Sequence, residues 1–241
     1  MGTQCIATAS ANEAEALSSL RTTGWAVFPK ISTPHGLEEC IRRYAESLEE
    51  VRPGRDPDMV FYNAAKSKEW LRPALKDDVN DGPIMAFVEG IEKRIRSVLL
   101  NETFERELVG IRRNTNVIPE GFAPHFDKRQ YLTVLMSFAA ESPDALGTVV
   151  YPHSSGRGFE YVRLPAGVAV VITGDQRQAA TGIPATIHSA PRKSLVGLSS
   201  RRCVFIATYR SIDQAVSPDM LKELEARVQI AARFAADASF E

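Results

Sequence analysis

The chain is poor in cysteine, in histidine and in net charge, and each shortage excludes something. Three cysteines (Cys5, Cys40 and Cys203), widely spaced and odd in number, argue against a disulfide framework, and no Cys-x-x-Cys pair is present to start a zinc site. No apolar run approaches the roughly 18 residues that a membrane-spanning helix requires. The opening MGTQCIATASANEAEAL has neither the basic nor the apolar segment of a secretory signal, and Ile6 stands where a myristoylation signal places Ser or Thr. With 29 Lys and Arg against 30 Asp and Glu the formal net charge is −1, so no overall basic field draws the chain to nucleic acid or to an anionic membrane. A cytoplasmic protein with no nucleic-acid and no membrane partner is the expectation.

What is present is ordinary globular material. Hydrophobic residues make up 44% and charged residues 24%, which excludes a disordered chain, and 241 residues suffice for one sizeable core. A single domain over 1–241 is therefore expected. Residues 13–21 read as a short helix ended by Gly24, and WAVFPKI (25–31) as a strand closed by a Ser-Thr-Pro turn. Ser32 or Thr33 then caps a helix running from Pro34 to about residue 51, with Leu37, Cys40, Ile41, Tyr44 and Leu48 on one face. RPGRDPD (52–58) is a loop, followed by short helical pieces. The spacing of Ile84, Phe87, Val88, Ile91, Ile95, Val98 and Leu99 predicts a strong helix over 84–100.

From residue 108 the pattern changes to seven short β-rich runs separated by Gly, Pro or Ser clusters, the mark of an antiparallel sandwich or barrel. A last helix, from Pro218 to about residue 235 with Ser217 as cap, carries Met220, Leu221, Leu224, Val228, Ile230 and Ala231. The expected class is α+β, with a β core over about 108–212 and helices over about 13–100 and 217–236. The apolar stripes of the two long helices suit a role as covers of that core; the last one equally suits a homodimer interface.

Of the four histidines, one stands in APHFDKRQYLTV (123–134), where His125 and Asp127 lie two apart beside an alternating run. Residues i and i+2 of a strand point to the same side, so this pair can reach one ion. Taken alone, a hydrogen-bonded pair at a strand end is the plainer reading. An iron centre in an oxygen-using enzyme takes two histidines and one carboxylate on one face and keeps open positions. His35 at a helix start and His153 in a loop read as structural or exposed, whereas His188 (PATIHSAP), after a small strand, is the third ligand by context. Further on, RRCVFIATYR opens with paired arginines. The planar fork of an arginine suits the distal end of a dicarboxylate, and strand alternation sends one of Arg201 and Arg202 inward and the other outward.

In the ordered set His125-Phe126-Asp127, His188 and Arg202, the chain resembles the iron(II)- and 2-oxoglutarate-dependent dioxygenase family. The ending ATYR is similar to the family's last core strand, a register that favours Arg202 over Arg201 as the 2-oxoglutarate clamp. GWAVFPKI, IRRNTNVIPEGFAPHFD and LPAGVAVVITG resemble its opening strand, its approach to the first ligands and the strand before the distal histidine, so the likeness spans residues 18–212. The resemblance implies a double-stranded β-helix (jelly-roll) core, Fe(II) on His125, Asp127 and His188, 2-oxoglutarate as cosubstrate clamped by Arg202, and O2 as oxidant. It further implies release of succinate and CO2 with oxidation, usually hydroxylation, of a substrate C–H bond. Desaturation, cyclisation and epoxidation are the family's variants, and retention of Asp127 speaks against halogenation.

Strand parity and the same resemblance nominate further residues. Arg112, Asn114 and Asn116 share a face, where the family places a polar partner of 2-oxoglutarate; Asn114 and Asn116 serve equally well to satisfy local backbone groups. Thr133, Leu135 and Ser137 are expected to share a face with Tyr131, with Thr133 and Ser137 beside the cosubstrate. Arg112, Arg129 and Tyr131 are the candidates for substrate contact, Arg129 doubling as an ordinary surface charge. Thr208 stands where nucleic-acid repair members carry a second arginine, and the neutral charge balance favours a small-molecule substrate. A protein or peptide hydroxylase of the same family and a catalytically silent jelly-roll binding module stay open as alternatives.

Overall fold

Period-two alternation of apolar residues builds ten strands among the residues described in a computed structural model, which are 6–7, 12–28, 59–62, 83–114, 123–140, 147–151, 160–163, 168–189 and 202–237. In chain order the elements are β1 (Ile6–Ala7), α1 (Glu13–Thr22), β2 (Trp25–Phe28), β3 (Met59–Tyr62), α2 (Pro83–Val98), β4 (Glu105–Asn114) and β5 (Leu132–Ala140). There follow β6 (Gly147–Tyr151), β7 (Glu160–Arg163), β8 (Ala169–Thr173), α3 (Asp175–Thr181), β9 (Ile187–Ser189), β10 (Arg202–Arg210) and α4 (Pro218–Asp237). A six-stranded antiparallel sheet has the order β2-β8-β5-β10-β4-β3, and a four-stranded sheet the order β1-β7-β6-β9, with β1 parallel to β7.

The alternation also decides what each sheet face covers. Ala26 and Phe28 of β2, Leu132, Val134 and Met136 of β5, Ala169 and Val171 of β8, and Phe205, Ala207 and Tyr209 of β10 form one apolar cluster with α1 and α2. The opposite residues of the same strands (Trp25, Val27, Leu135, Val170 and Ile172) meet Val150 of β6 in a second cluster between the sheets. On the far side, Val149, Tyr151 and Ile187 of the smaller sheet pack with Phe126 against Leu224, Val228 and Ala231 of α4. The layers are helices, six strands, four strands and a helix, which is the double-stranded β-helix expected from the resemblance.

All seven β-rich runs from 108 onward became strands, and the 84–100 and 218–235 helices formed with Ser217 capping the latter through its hydroxyl (Met220 N–H to Ser217 Oγ, 3.2 Å). Three expectations need correction. The region after the 52–58 loop, read as helical, contains the strand β3, whose MVFY pairs with β4. Ile230 does not join the buried stripe of α4 but is 47% exposed, because Leu224, Val228, Ala231 and Ala235 set the buried spacing and 230 falls off it. The short helix α3 was not foreseen at all. The helix expected over 34–51 lies outside the described residues.

One junction fixes the approach to His188. Gly24, at φ +85°, turns the chain from α1 into β2, and its carbonyl accepts from the Thr173 N–H (2.8 Å) and the Thr186 hydroxyl (2.9 Å). A Cβ at position 24 would collide with the Pro184 carbonyl oxygen. Gly24→Ala therefore combines a left-handed backbone with a backbone clash and is expected to cost about 2–3 kcal/mol, read as a lower urea midpoint. An unchanged midpoint would mean that the turn is not held as described.

Candidate metal centre

The two candidate ligand strands are joined by their main chains before any side chain is considered. His125 N–H donates to the His188 carbonyl (3.0 Å) and His188 N–H to the His125 carbonyl (2.9 Å), the reciprocal pattern of a hydrogen-bonded antiparallel pair. His188 lies in β9, paired on its other side with Val150 of β6, so His125 extends the four-stranded sheet by one residue. The imidazole rings stand 4.4 Å apart between centroids. Asp127, two residues after His125, returns to the same side. One ligand atom from each of His125, Asp127 and His188 lies within 4.8 Å of the others, and this is the one such group of His, Cys, Asp and Glu among the described residues.

The atoms fit a divalent ion. His188 Nε2 and Asp127 Oδ2 are 4.0 Å apart, too far for a hydrogen bond. Imidazole and carboxylate ligands bind at about 2.0–2.2 Å, so two of them on one ion stand roughly 3–4 Å apart. Asp127 Oδ2 is buried and has no hydrogen-bond partner among the described residues, an arrangement that costs free energy unless a cation or water completes it. The ring tautomers agree. His125 Nδ1 is 2.9 Å from the Ala123 carbonyl and His188 Nδ1 is 3.3 Å from the Thr186 carbonyl. A carbonyl only accepts, so each Nδ1 carries the proton and each Nε2 keeps its lone pair for a metal. Burial, followed by the opposing pull of the Asp127 carboxylate and the push of His125, holds His188 down to about 4, so its ring is neutral at physiological pH. Two imidazoles and one carboxylate form a triad able to hold Fe(II).

The turn after Asp127 is held from below. Arg129 has φ +60°, a left-handed conformation uncommon for a residue other than glycine, and the Gln130 N–H donates to Asp175 Oδ1 at 3.2 Å. Asp175 is buried. Desolvation raises its carboxyl above the usual range, partly offset by the backbone N–H groups of Arg129, Gln176 and Gln130, and the Asp127 charge raises it further. Lys128 reaches Glu225 of α4 at 3.0 Å on an exposed surface, where such a pair contributes little.

The remaining nominated residues divide by location. Thr133 is buried on the inter-sheet side of β5, its hydroxyl without a partner among the described residues, and its register partner on β10 is Thr208, whose hydroxyl is in the same condition. Position 137 pairs with Val204, and position 202 lies between Asn114 of β4 and Ala140 of β5, while Arg112 is opposite Val204. The side chains of Arg112, Asn114, Ser137 and Arg202, and all of Asn116, Arg201, His35 and His153, lie outside the described residues. Arg129 is exposed beside the triad. Tyr131 does not share the face of Thr133: it is buried on the helix side, stacked on Phe104 and donating its hydroxyl to Glu102 Oε2 at 2.7 Å. Tyr131 precedes β5, which begins at Leu132, and sits at a bend, so strand parity does not extend to it.

Sequence reasoning also missed Arg177 of α3, which is fully buried. Its guanidinium donates to both oxygens of Glu102 (2.7 and 3.0 Å), to the Leu20 carbonyl (3.1 Å) and to the Thr173 hydroxyl (2.8 Å). Nothing local in DQRQAAT distinguishes this arginine from a solvated one, because its partners come from remote parts of the chain.

No protein-family model and no curated protein matches the chain. Solved structures do. An oxidoreductase of the 2OG-Fe(II) oxygenase family from Burkholderia pseudomallei matches at 12% identity and TM-score 0.54, over 89% of this chain and 99% of its own. AviO1 from Streptomyces viridochromogenes Tue57 matches at 13% identity and TM-score 0.57, over 88% of this chain and all of its own (100%). The non-heme alpha-ketoglutarate-dependent epimerase SnoN from nogalamycin biosynthesis matches at 16% identity and TM-score 0.56, over 86% of this chain and 83% of its own. At such identities the likeness is one of fold, and the chain has the double-stranded β-helix fold of the 2-oxoglutarate and iron(II) oxygenases with a His-Asp-His triad assembled upon it.

Proposed function

We propose that this chain is a single-domain Fe(II)- and 2-oxoglutarate-dependent dioxygenase that oxidises, by hydroxylation, a C–H bond of a small-molecule substrate. The observation that carries the reading is the convergence of His125, Asp127 and His188, with an Asp127 carboxylate oxygen that is buried and has no partner among the described residues, on a fold shared with such oxygenases. Iron(II) bound there with 2-oxoglutarate supplies the activation of O2 that drives C–H oxidation, with succinate and CO2 released. The protein's part is to hold and to orient. The triad occupies one face and leaves the other coordination positions for cosubstrate and O2. The two backbone carbonyls behind His125 and His188 keep their lone pairs turned to the ion.

Arg202 is assigned to the distal carboxylate of 2-oxoglutarate, with Asn114 opposite it in register and Asn116, Thr133 and Ser137 as its polar company. Thr133 supports this assignment through a buried hydroxyl that has no partner among the described residues. Arg112 and Arg129 are assigned to the substrate side. The small-molecule class rests on the charge balance of the chain and on SnoN, an epimerase from nogalamycin biosynthesis with the same fold.

Anaerobic addition of Fe(II) and then 2-oxoglutarate is expected to produce a weak visible metal-to-ligand charge-transfer band, and admission of O2 to yield iron-dependent succinate. A protein that gave neither the band nor succinate would be a silent jelly-roll module, and the proposal would fall.

A further inference from the structure

We infer that Asp175 is a positioning residue that sets the place of Asp127 through the turn following it. The inference rests on the reading of His125, Asp127 and His188 as metal ligands. His125 and His188 are locked by main-chain bonds within the sheet, but Asp127 lies past the end of that bridge and has no such lock. What holds it is residues 127–131, and those are zipped to residues 174–176. The Asp175 N–H points at the Asp127 carbonyl (3.4 Å), the Gln176 N–H donates to the Gln130 carbonyl (3.1 Å), and the Gly174 N–H donates to the Tyr131 carbonyl (3.0 Å). In the reverse direction the Asp175 carboxylate accepts from the Gln130 N–H at 3.2 Å. A Cβ at position 174 would collide with the Gln130 carbonyl, so only glycine lets the two segments approach this closely.

The energetics explain why a carboxylate is used. Arg129 in the left-handed region costs about 1 kcal/mol or more, and the half-buried Gln130 N–H, left unmet, would cost about 1 kcal/mol further. Successive N–H groups around a left-handed residue make a small anion-binding concavity, and Asp175 Oδ1 fills it from within the protein. Asp175 does not touch the ligand position itself. The far end of the same short segment is anchored too: the Gln176 side chain exchanges hydrogen bonds with Ser211 (3.1 and 2.8 Å) just beyond β10. The end of β10 and the turn that carries Asp127 therefore share one support.

The test uses Mn(II) as probe on the full chain, with free Mn(II) followed by electron paramagnetic resonance and folding by circular dichroism. Outer partners of metal ligands are worth roughly 10- to 100-fold in affinity. Asp175→Ala is expected to weaken Mn(II) binding by about 10-fold or more, and Asp175→Glu, whose carboxylate is carried one methylene past the concavity, by a comparable factor. Asp175→Asn keeps the acceptor oxygen in place and should stay within about 3-fold of wild type, as should Lys128→Ala in the same turn, which loses only an exposed ion pair. If the alanine variant does not fold, the Asn and Glu variants decide. Wild-type affinity in the Ala and Glu variants, or an Asn variant as weak as they are, overturns the positioning role while leaving the triad standing. Failure of the wild-type chain to bind Mn(II) overturns both.

Discussion

His125→Ala, Asp127→Ala and His188→Ala are each expected to lower Fe(II) affinity by more than about 100-fold and to abolish iron-dependent succinate formation. Loss of an outer partner alone costs roughly 10- to 100-fold, so loss of a direct ligand from a set of three must exceed it. The three variants should nevertheless remain folded. The bridge between positions 125 and 188 is made by backbone atoms, which alanine retains, and Asp127 Oδ2 has no hydrogen bond to lose among the described residues. His188→Ala is the sternest case, since it also empties a buried site between β6 and residue 125, and it should show the largest fall in thermal midpoint of the three. Isothermal titration with Fe(II) under anaerobic conditions and a melting curve separate the two effects. A variant that folded and kept wild-type affinity would remove its residue from the triad.

Arg177→Met is expected to destabilise the fold by about 3–5 kcal/mol, the range found when one member of a buried ion pair is removed. In a domain of this size that corresponds to a fall in Tm on the order of 10 °C. The substitution keeps much of the side chain's volume but leaves the part-buried Glu102 carboxylate with the Tyr131 hydroxyl in place of its charged partner, and takes the guanidinium from the Leu20 carbonyl and the Thr173 hydroxyl as well. The double variant Glu102→Leu with Arg177→Met should recover part of the loss, because it removes the orphaned charge rather than exposing it. The pH dependence has a definite sign. Burial raises the Glu102 carboxyl, but hydrogen bonds from Arg177 and Tyr131, with the charges of Arg177 and Arg21, outweigh it and leave the folded value below the ordinary 4.5. The stability contributed by the pair is complete above that ordinary value and is lost as pH falls through the lower folded one. The gap between wild type and Arg177→Met should therefore be widest near neutrality and narrow in acid. A gap independent of pH would show that Glu102 is not the group the arginine supports.

The contrast between these two sites explains what the sequence made legible. Strand alternation and H-x-D spacing are local patterns, so β4 to β10 and the His125–Asp127 pair could be read from neighbours alone. His188 was recoverable through order along the chain and the resemblance, since no short spacing links it to Asp127. Arg177 and Glu102 are 75 residues apart and Asp175 and Gln130 are 45 apart; such partners meet only through the sheet topology, and neither stretch carries a periodic signal. Tyr131 was misplaced for a different reason. Parity arguments assume that both residues lie in one strand, and β5 begins only at Leu132, after the bend at Tyr131.

The reciprocal main-chain pair between His125 and His188 also separates two events that coincide in many small metal proteins. Where a metal is the only bond between its ligands, loading and folding are a single step and the stripped chain is unfolded. Here the sheet has already closed the long loop between the histidines, so an arriving ion adds stability only by mass action, about 2.7 kcal/mol at a hundred-fold excess over its dissociation constant. On the proposed function, scarcity of iron would leave the chain folded and able to take up its metal without refolding.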